Sequence, residues 1–315
     1  MDSLLTSMNN FIVIFLCMIA GVLCRRLRAF PASTAQSLNA FIIYLSLPAL
    51  VISQLPKLFL KMKFVGLWWV PVSMAWISFV LSFCFFAFLG KYKKWSNAKI
   101  GALILTAGLG NTSFVGFPIL EAIIGHHAIP IGILVDQPGS FLVLSTLGIM
   151  VAAFFSGTHV NTKYIFKKVL TFPPFIALLF SVAWAISGLY GEEVLQSPIE
   201  KIAMTLVPLA LFAVGFQLKF DLSILKRRRF PLAIGLSFKL VLIPAFFAFF
   251  YLKILGENDL AAKVTVLESA MATMISSAVV ATEFHLDTEL ANLMVGIGIP
   301  LSLITVPLWN HFLFQ

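Results

Sequence analysis

Residues 108–119 read GLGNTSFVGFPI: three glycines, an asparagine, two hydroxyls and a proline, set in an otherwise apolar stretch. A membrane-crossing helix gains nothing from such a run unless it is meant to break there. Gly108, Gly110 and Gly116 remove side chains and loosen the helix, and Pro118 lacks a backbone donor and crowds the preceding turn. Counted from Lys99, Asn111 lies twelve residues along the span, about 18 Å at 1.5 Å per residue, near the middle of a ~30 Å hydrocarbon core. Pro118 suits the first position of a new half-helix running to about residue 125. The N-terminus of that half-helix carries free N–H groups and partial positive charge, a seat for an anion, with Asn111, Thr112 and Ser113 beside it. The alternative is an unbroken but kinked helix, in which the glycines allow close approach and Asn111 binds a neighbouring helix. This span alone does not separate the two.

The rest of the chain is built for lipid. Of 315 residues, 60% are hydrophobic and 11% charged, with a mean hydropathy of +1.00; a soluble domain carries about 25% charge. Without water, backbone groups must be paired inside helices or closed barrels, and the apolar runs show no in-and-out alternation. The expected fold is therefore an all-α integral membrane protein with ten transmembrane helices. The spans fall near 9–24, 36–55, 65–89, 99–124, 129–155, 172–190, 199–218, 231–252, 262–283 and 290–313. The first is not a cleaved signal, because MDSLLTSMNN before it has no basic residue and Arg25, Arg26 and Arg28 follow it. The longest connection, about 156–171, is too short for a separate soluble domain.

The net charge of +9 does not point to nucleic acid, because of where it sits. Lys and Arg collect in alternate loops: Arg25 to Arg28, Lys91 to Lys99, Lys163 to Lys168, and Lys219 with Lys226 to Arg229. The other loops hold acids such as Glu192, Glu193, Glu257 and Asp259. This positive-inside pattern places both termini outside a multi-pass protein of the cell membrane, with KRRR (226–229) as a cytoplasmic anchor at the lipid surface. Cys17, Cys24 and Cys84 have no metal or redox spacing. His285, between Glu283 and Asp287, reads as interfacial, so no metal site is expected.

Ten spans divide into five plus five. YLSLPALVISQL (44–55) and TLVPLALFAVGFQL (205–218) place Pro48 and Pro208, two further helix-breaking positions, 160 residues apart; Lys99 and Lys263 open spans four and nine 164 apart. The similar offsets suggest a duplicated unit, 1–155 and 172–315, joined by a cytoplasmic connection at 156–171. An odd number of spans per copy inverts the second copy, the architecture of secondary transporters that hold substrate near the midplane.

Further polar groups fall within spans. Asp136 and Gln137 lie in span five and Lys239 in span eight, at depths that let the two charges neutralise each other. Intramembrane charges are costly and mark function by default, although a structural ion pair is also open. Glu121 and Glu268 lie nearer the outer ends, within reach of the interface.

The chain resembles the auxin efflux carrier family of permeases, which includes plant PIN-type carriers and bacterial malonate or malate carrier-like proteins. The resemblance runs over nearly the whole chain. It rests on LSLPAL (45–50), GNTSFVGFPI (110–119), Asp136–Gln137 with STLG (145–148), FPP (172–174), VPLALFAVGFQL (207–218), Lys239–Leu240 with Pro244, and ESAM (268–271) followed by ATEFHLDTELA (281–291). It implies two inverted five-helix repeats with spans four and nine broken and crossing at mid-membrane. Spans one, two, six and seven would form a scaffold that dimerises, and spans three to five and eight to ten a moving transport unit. Small organic anions would meet the crossing. One departure stands out. The family commonly has a proline shortly after the methionine matching Met271, whereas here Ala272 and Thr273 follow, and no proline or glycine occurs between Val264 and Glu283. A break in span nine must then rest on Thr273, Ser276 and Ser277, whose hydroxyls can serve freed backbone groups.

The sequence thus reads as an elevator-like secondary transporter of small carboxylates. Gly110, Asn111, Thr112, Ser113, Pro118, Met271, Thr273, Ser276 and Ser277 are the expected substrate contacts. Asp136, Gln137 and Lys239 serve as polar support or couple transport to H⁺ or Na⁺, and no organic cofactor is implied. An intramembrane hydrolase would need a second mid-span aspartate or a serine with a histidine base, and span positions supply neither. The remaining rival is a sensor that keeps the transporter fold and binds ligand without moving it.

Overall fold

The computed structural model of the chain describes residues 2–61, 68–158, 161–187, 193–218 and 222–314. Residues 65–67 and 188–190 of the expected spans three and six, with Glu192 and Lys219, lie outside these. Among the described residues every element is helical. In chain order the helices are α1 (Asp2–Arg26), α2 (Thr34–Pro56), α3 (Trp69–Tyr92), α4 (Asn97–Gly108), α5 (Thr112–Ile123), α6 (His126–Ser156), α7 (Thr162–Leu170), α8 (Pro173–Ile186), α9 (Gln196–Gln217), α10 (Leu225–Ile254), α11 (Leu260–Ser269), α12 (Ile275–Glu283) and α13 (Thr288–Phe314). Six of them, α2, α3, α6, α9, α10 and α13, are long and apolar enough to cross a membrane, and α5 and α8 are shorter apolar helices. The chain is a multi-pass membrane protein. The connection expected at 156–171 contains a helix of its own, α7, which carries Lys163, Lys167 and Lys168.

Proline shapes several of these helices without ending them. Proline cannot donate to the carbonyl four residues back and presses against it; a π turn shifts the hydrogen-bond register and relieves the conflict. Turns of this kind cover Ile42–Ser46, Thr112–Gly116 and Phe238–Leu242, each two residues ahead of Pro48, Pro118 and Pro244, and another, Asp136–Phe141, contains Pro138. The helix therefore runs on through Pro48. At Pro244 the carbonyl four residues back, that of Leu240, accepts a hydrogen bond from the Trp309 indole N–H at 3.0 Å. Pro208 follows a turn at residues 204–205 that interrupts α9.

The chain separates into two compact units. The first comprises 1–67, 113–133 and 170–218. In it α1 and α9 meet backbone to backbone. A Cβ on Gly215 would run into the Met18 backbone, and one on Gly21 into the Phe212 carbonyl and the Phe216 amide. Arg25 donates to the Phe216 carbonyl at 2.8 Å, and Phe30 meets Phe212 edge to face at 5.9 Å. Ser46 and Thr205 hydroxyls, 2.7 Å apart, tie α2 to α9.

The second unit comprises 68–112, 134–169 and 219–315. Here α3 lies along α4 and serves its carbonyls: the Ser82 and Ser78 hydroxyls donate to Ile104 and Gly108 at 3.0 and 2.9 Å. At one end, Arg228 pairs with Asp287 at 3.2 Å and with Glu289 at 3.3 Å, and Arg227 reaches Glu289 at 2.5 Å. The Asp287 amide donates to the Ala98 carbonyl at 3.1 Å. The basic run that reads as a lipid-surface anchor therefore also holds the start of α13.

The α1–α9 contact generates a test. Gly215→Val forces these backbones apart and is expected to destabilise the protein by about 1–3 kcal/mol, read as a lower Tm in detergent, with Gly215→Ala showing a smaller loss.

Candidate functional site

The second unit is organised around two helix breaks that meet. Span four leaves the helix at Leu109, which is extended (φ −119°, ψ 131°), and resumes at Thr112. The restart therefore lies upstream of Pro118, which sits inside the new helix. Span nine is broken too, between Ser269 and Ile275, with Met274 extended (φ −63°, ψ 125°). Its break needs no proline, because the two extended segments pair. Gly110 and Thr273 form an antiparallel bridge in which the Asn111 amide donates to Ala272 at 2.7 Å and the Met274 amide to Leu109 at 3.1 Å. Each break supplies the partners that the other lacks, which is what a backbone held out of water requires. Ala270, Met271, Ala272 and Thr273 are all completely buried.

Side chains complete the crossing. Lys239, in the π turn ahead of Pro244, donates its ammonium to the Ser269 carbonyl at 2.9 Å, capping the C-terminal end of α11, where the helix dipole favours a cation. Gly110 is the position that admits it: a Cβ there would stand 3.0 Å from the Lys239 Nζ and 3.4 Å from the Glu268 carbonyl. On the opposite break, the Thr112 hydroxyl donates to Asp136 at 2.5 Å, with Ser140 at 3.2 Å, and the Gln137 amide donates to Asp136 at 2.6 Å. The Ser277 hydroxyl donates to the Met274 carbonyl at 2.7 Å, within the first turn of α12.

Gly110, Asn111, Thr112, Asp136, Gln137, Lys239, Met271, Thr273, Ser276 and Ser277 all belong to the second unit. Ser113, Gly116 and Pro118 belong to the first unit, as do Pro48 and Pro208. Glu268 is placed differently from its sequence expectation. It does not reach an interface but is 0% exposed, one residue before the end of α11 and within the electrostatic reach of Asp136 and Lys239. Counting along an unbroken span nine put it near a helix end; the break makes that position an interior one. Glu121, by contrast, is partly exposed, with His126 at 3.2 Å. Among the described residues, Asp136, Lys239 and Glu268 are the Asp, Glu, Lys or Arg residues buried as a whole.

A family model described as membrane transport protein matches residues 6–310. The chain is 25% identical to an uncharacterized transporter of Methanocaldococcus jannaschii, over 98% of this chain and 99% of that protein. It is also 25% identical to an uncharacterized transporter of Methanothermobacter thermautotrophicus, over 96% of this chain and 97% of that one.

Lys239 both caps α11 and offsets buried acids. Lys239→Met is therefore expected to cost about 3–5 kcal/mol, the usual penalty for removing one member of a buried charge set. Adding Glu268→Gln to Lys239→Met should recover ~0.5–3 kcal/mol, measured as a double-mutant cycle in thermal or denaturant unfolding.

Proposed function

The chain belongs to the membrane transport protein family, that of the auxin efflux carriers, and on that footing we propose that it moves small organic anions, carboxylates, by elevator-like alternating access. The observation that carries this reading is the paired break. Broken helices that meet inside a membrane unit are the usual seat of a transported solute, with helix N-termini turned to anionic groups and carbonyl ends to cations. At this crossing α12 begins at Ile275 with no side-chain cap on its first turn, and Asn111, Thr112, Thr273 and Ser276 supply polar contacts near it. Ser277 and Met271 shape the same segment. Lys239 sits at the carbonyl end of α11, and Asp136 and Gln137 brace Thr112.

The finer architecture belongs to the same proposal. Ten spans form two inverted five-helix repeats, about 1–155 and 172–315, with both termini outside the cell membrane. The bridge partners Gly110 and Thr273 are 163 positions apart, between the offsets of the proline and lysine landmarks, which supports one duplicated unit. The first compact unit, holding α1, α2, α8 and α9, suits a dimerising scaffold, and the second, holding α3, α4 and α10 to α13, a moving part. Segment 113–133 groups with the first unit, so in this proposal the chain passes from carrier to scaffold just after Thr112.

The test is carboxylate binding and flux by the purified protein, with malonate and indole-3-acetate among the probes. Saturable thermal stabilisation is expected, with Asn111→Ala weakening apparent affinity at least tenfold, ~1.4 kcal/mol, together with uptake into proteoliposomes. Binding without uptake would make the protein a sensor on a transporter fold. No response to any carboxylate overturns the anion assignment.

A further inference from the structure

We propose that Glu268 is the centre of a binding site for one monovalent cation at the helix crossing. The site gives the proposed carrier its coupling ion, and so rests on the transporter reading for its role, though not for its existence. Two independent counts support it.

The first count is of charge. Two buried carboxylates, Asp136 and Glu268, face one buried ammonium, Lys239. With all three ionised the cluster carries one uncompensated negative charge, which a protein interior does not tolerate without a partner. Asp136 acts on Glu268 from α6 and Lys239 from α10; among the described residues, α3 and α13, also packed on α11, bring no charged side chain to it. One added positive charge balances the set, and a divalent ion would overshoot.

The second count is of acceptors. Four buried side-chain oxygens of the second unit have no hydrogen-bond partner: both carboxylate oxygens of Glu268, the amide oxygen of Gln137 beside Asp136, and the hydroxyl of Thr273 at the bridge with Gly110. Lys239 bonds the Ser269 carbonyl, and neither Glu268 oxygen has a hydrogen-bond partner. A buried polar atom left unpaired costs about 1–3 kcal/mol, and natural structures keep such groups for a reason. An all-oxygen set of carboxylate, amide and hydroxyl suits a hard cation. Both Na⁺ and H⁺ meet this description. Either one, bound at Glu268, neutralises the crossing where a carboxylate would arrive, so cation and anion would raise each other's affinity.

The experiment is thermal unfolding of the full-length protein without carboxylate, with NaCl titrated against choline chloride at constant ionic strength and several pH values. Glu268→Gln, which keeps the shape and removes the charge, is compared with wild type. The expected result is a saturable rise in Tm of several degrees with Na⁺, absent in Glu268→Gln. A wild type indifferent to Na⁺ but with a pH-dependent Tm that Glu268→Gln flattens also supports the site, filled by a proton. Indifference to both, or responses unchanged in Glu268→Gln, overturns the proposal. If Glu268→Gln does not fold, Thr273→Val and Gln137→Leu each delete one oxygen without changing charge. They should raise the half-saturating Na⁺ concentration, or move the pH midpoint, and unchanged values overturn the site. A carboxylate response with no cation response leaves the transporter reading intact and removes this site. The reverse pattern keeps the site and removes the anion transporter.

Discussion

Two backbone hydrogen bonds, Asn111 to Ala272 and Met274 to Leu109, are the constraint on which the second unit depends. A helix that stops inside a membrane exposes amides and carbonyls with nothing to bind, each at a cost of several kcal/mol. Here two helices stop opposite each other and exchange bonds. The exchange fixes the register of span four against span nine, and places Gly110 where a Cβ would stand 3.0 Å from the Lys239 Nζ. The lysine cap on Ser269 and the serine bonds to Ile104, Gly108 and Met274 carbonyls are the remaining pieces of the same accounting.

Polar chemistry enters the interior through the π turns. A π turn displaces the backbone register and lets a side chain leave the regular helical rows, and such turns recur at functional positions. Thr112, Asp136, Gln137 and Lys239 all lie in them. The prolines that mark these turns therefore do two jobs, bending the helix and presenting a polar residue a few positions away.

The sequence carried much of this, unevenly. The apolar runs disclose a helical membrane protein, and the glycine-rich stretch ending in Pro118 shows that span four departs from a plain helix. The restart at Thr112 was not legible, because Pro118 is a strong local signal and the bond that fixes the true break comes from Ala272, far along the chain. The break in span nine was implied by the family resemblance but not by its own residues: MATMISSA contains no helix breaker, and its opening depends on the bonds exchanged with Leu109 and Asn111 and on the Lys239 cap. Glu268 was misplaced as a consequence, since its depth was counted along an unbroken helix. Asp136, Gln137 and Lys239 were legible because a charge or amide inside an apolar span is conspicuous wherever its partner lies.

The mutual break also has a consequence for the birth of the protein. The donor Asn111 and its acceptor Ala272 are 161 positions apart, roughly 8–30 s of ribosomal elongation at 5–20 residues per second. During that interval the segment around Asn111 leaves the ribosome with an interrupted helix and no chain to close it. The interruption must be sheltered by water, by the insertion machinery or by provisional helical bonds until the ninth span arrives. Assembly of the second unit is therefore a late event, timed by the last third of the chain, and a product truncated before residue 272 would carry an open backbone defect that quality control can recognise.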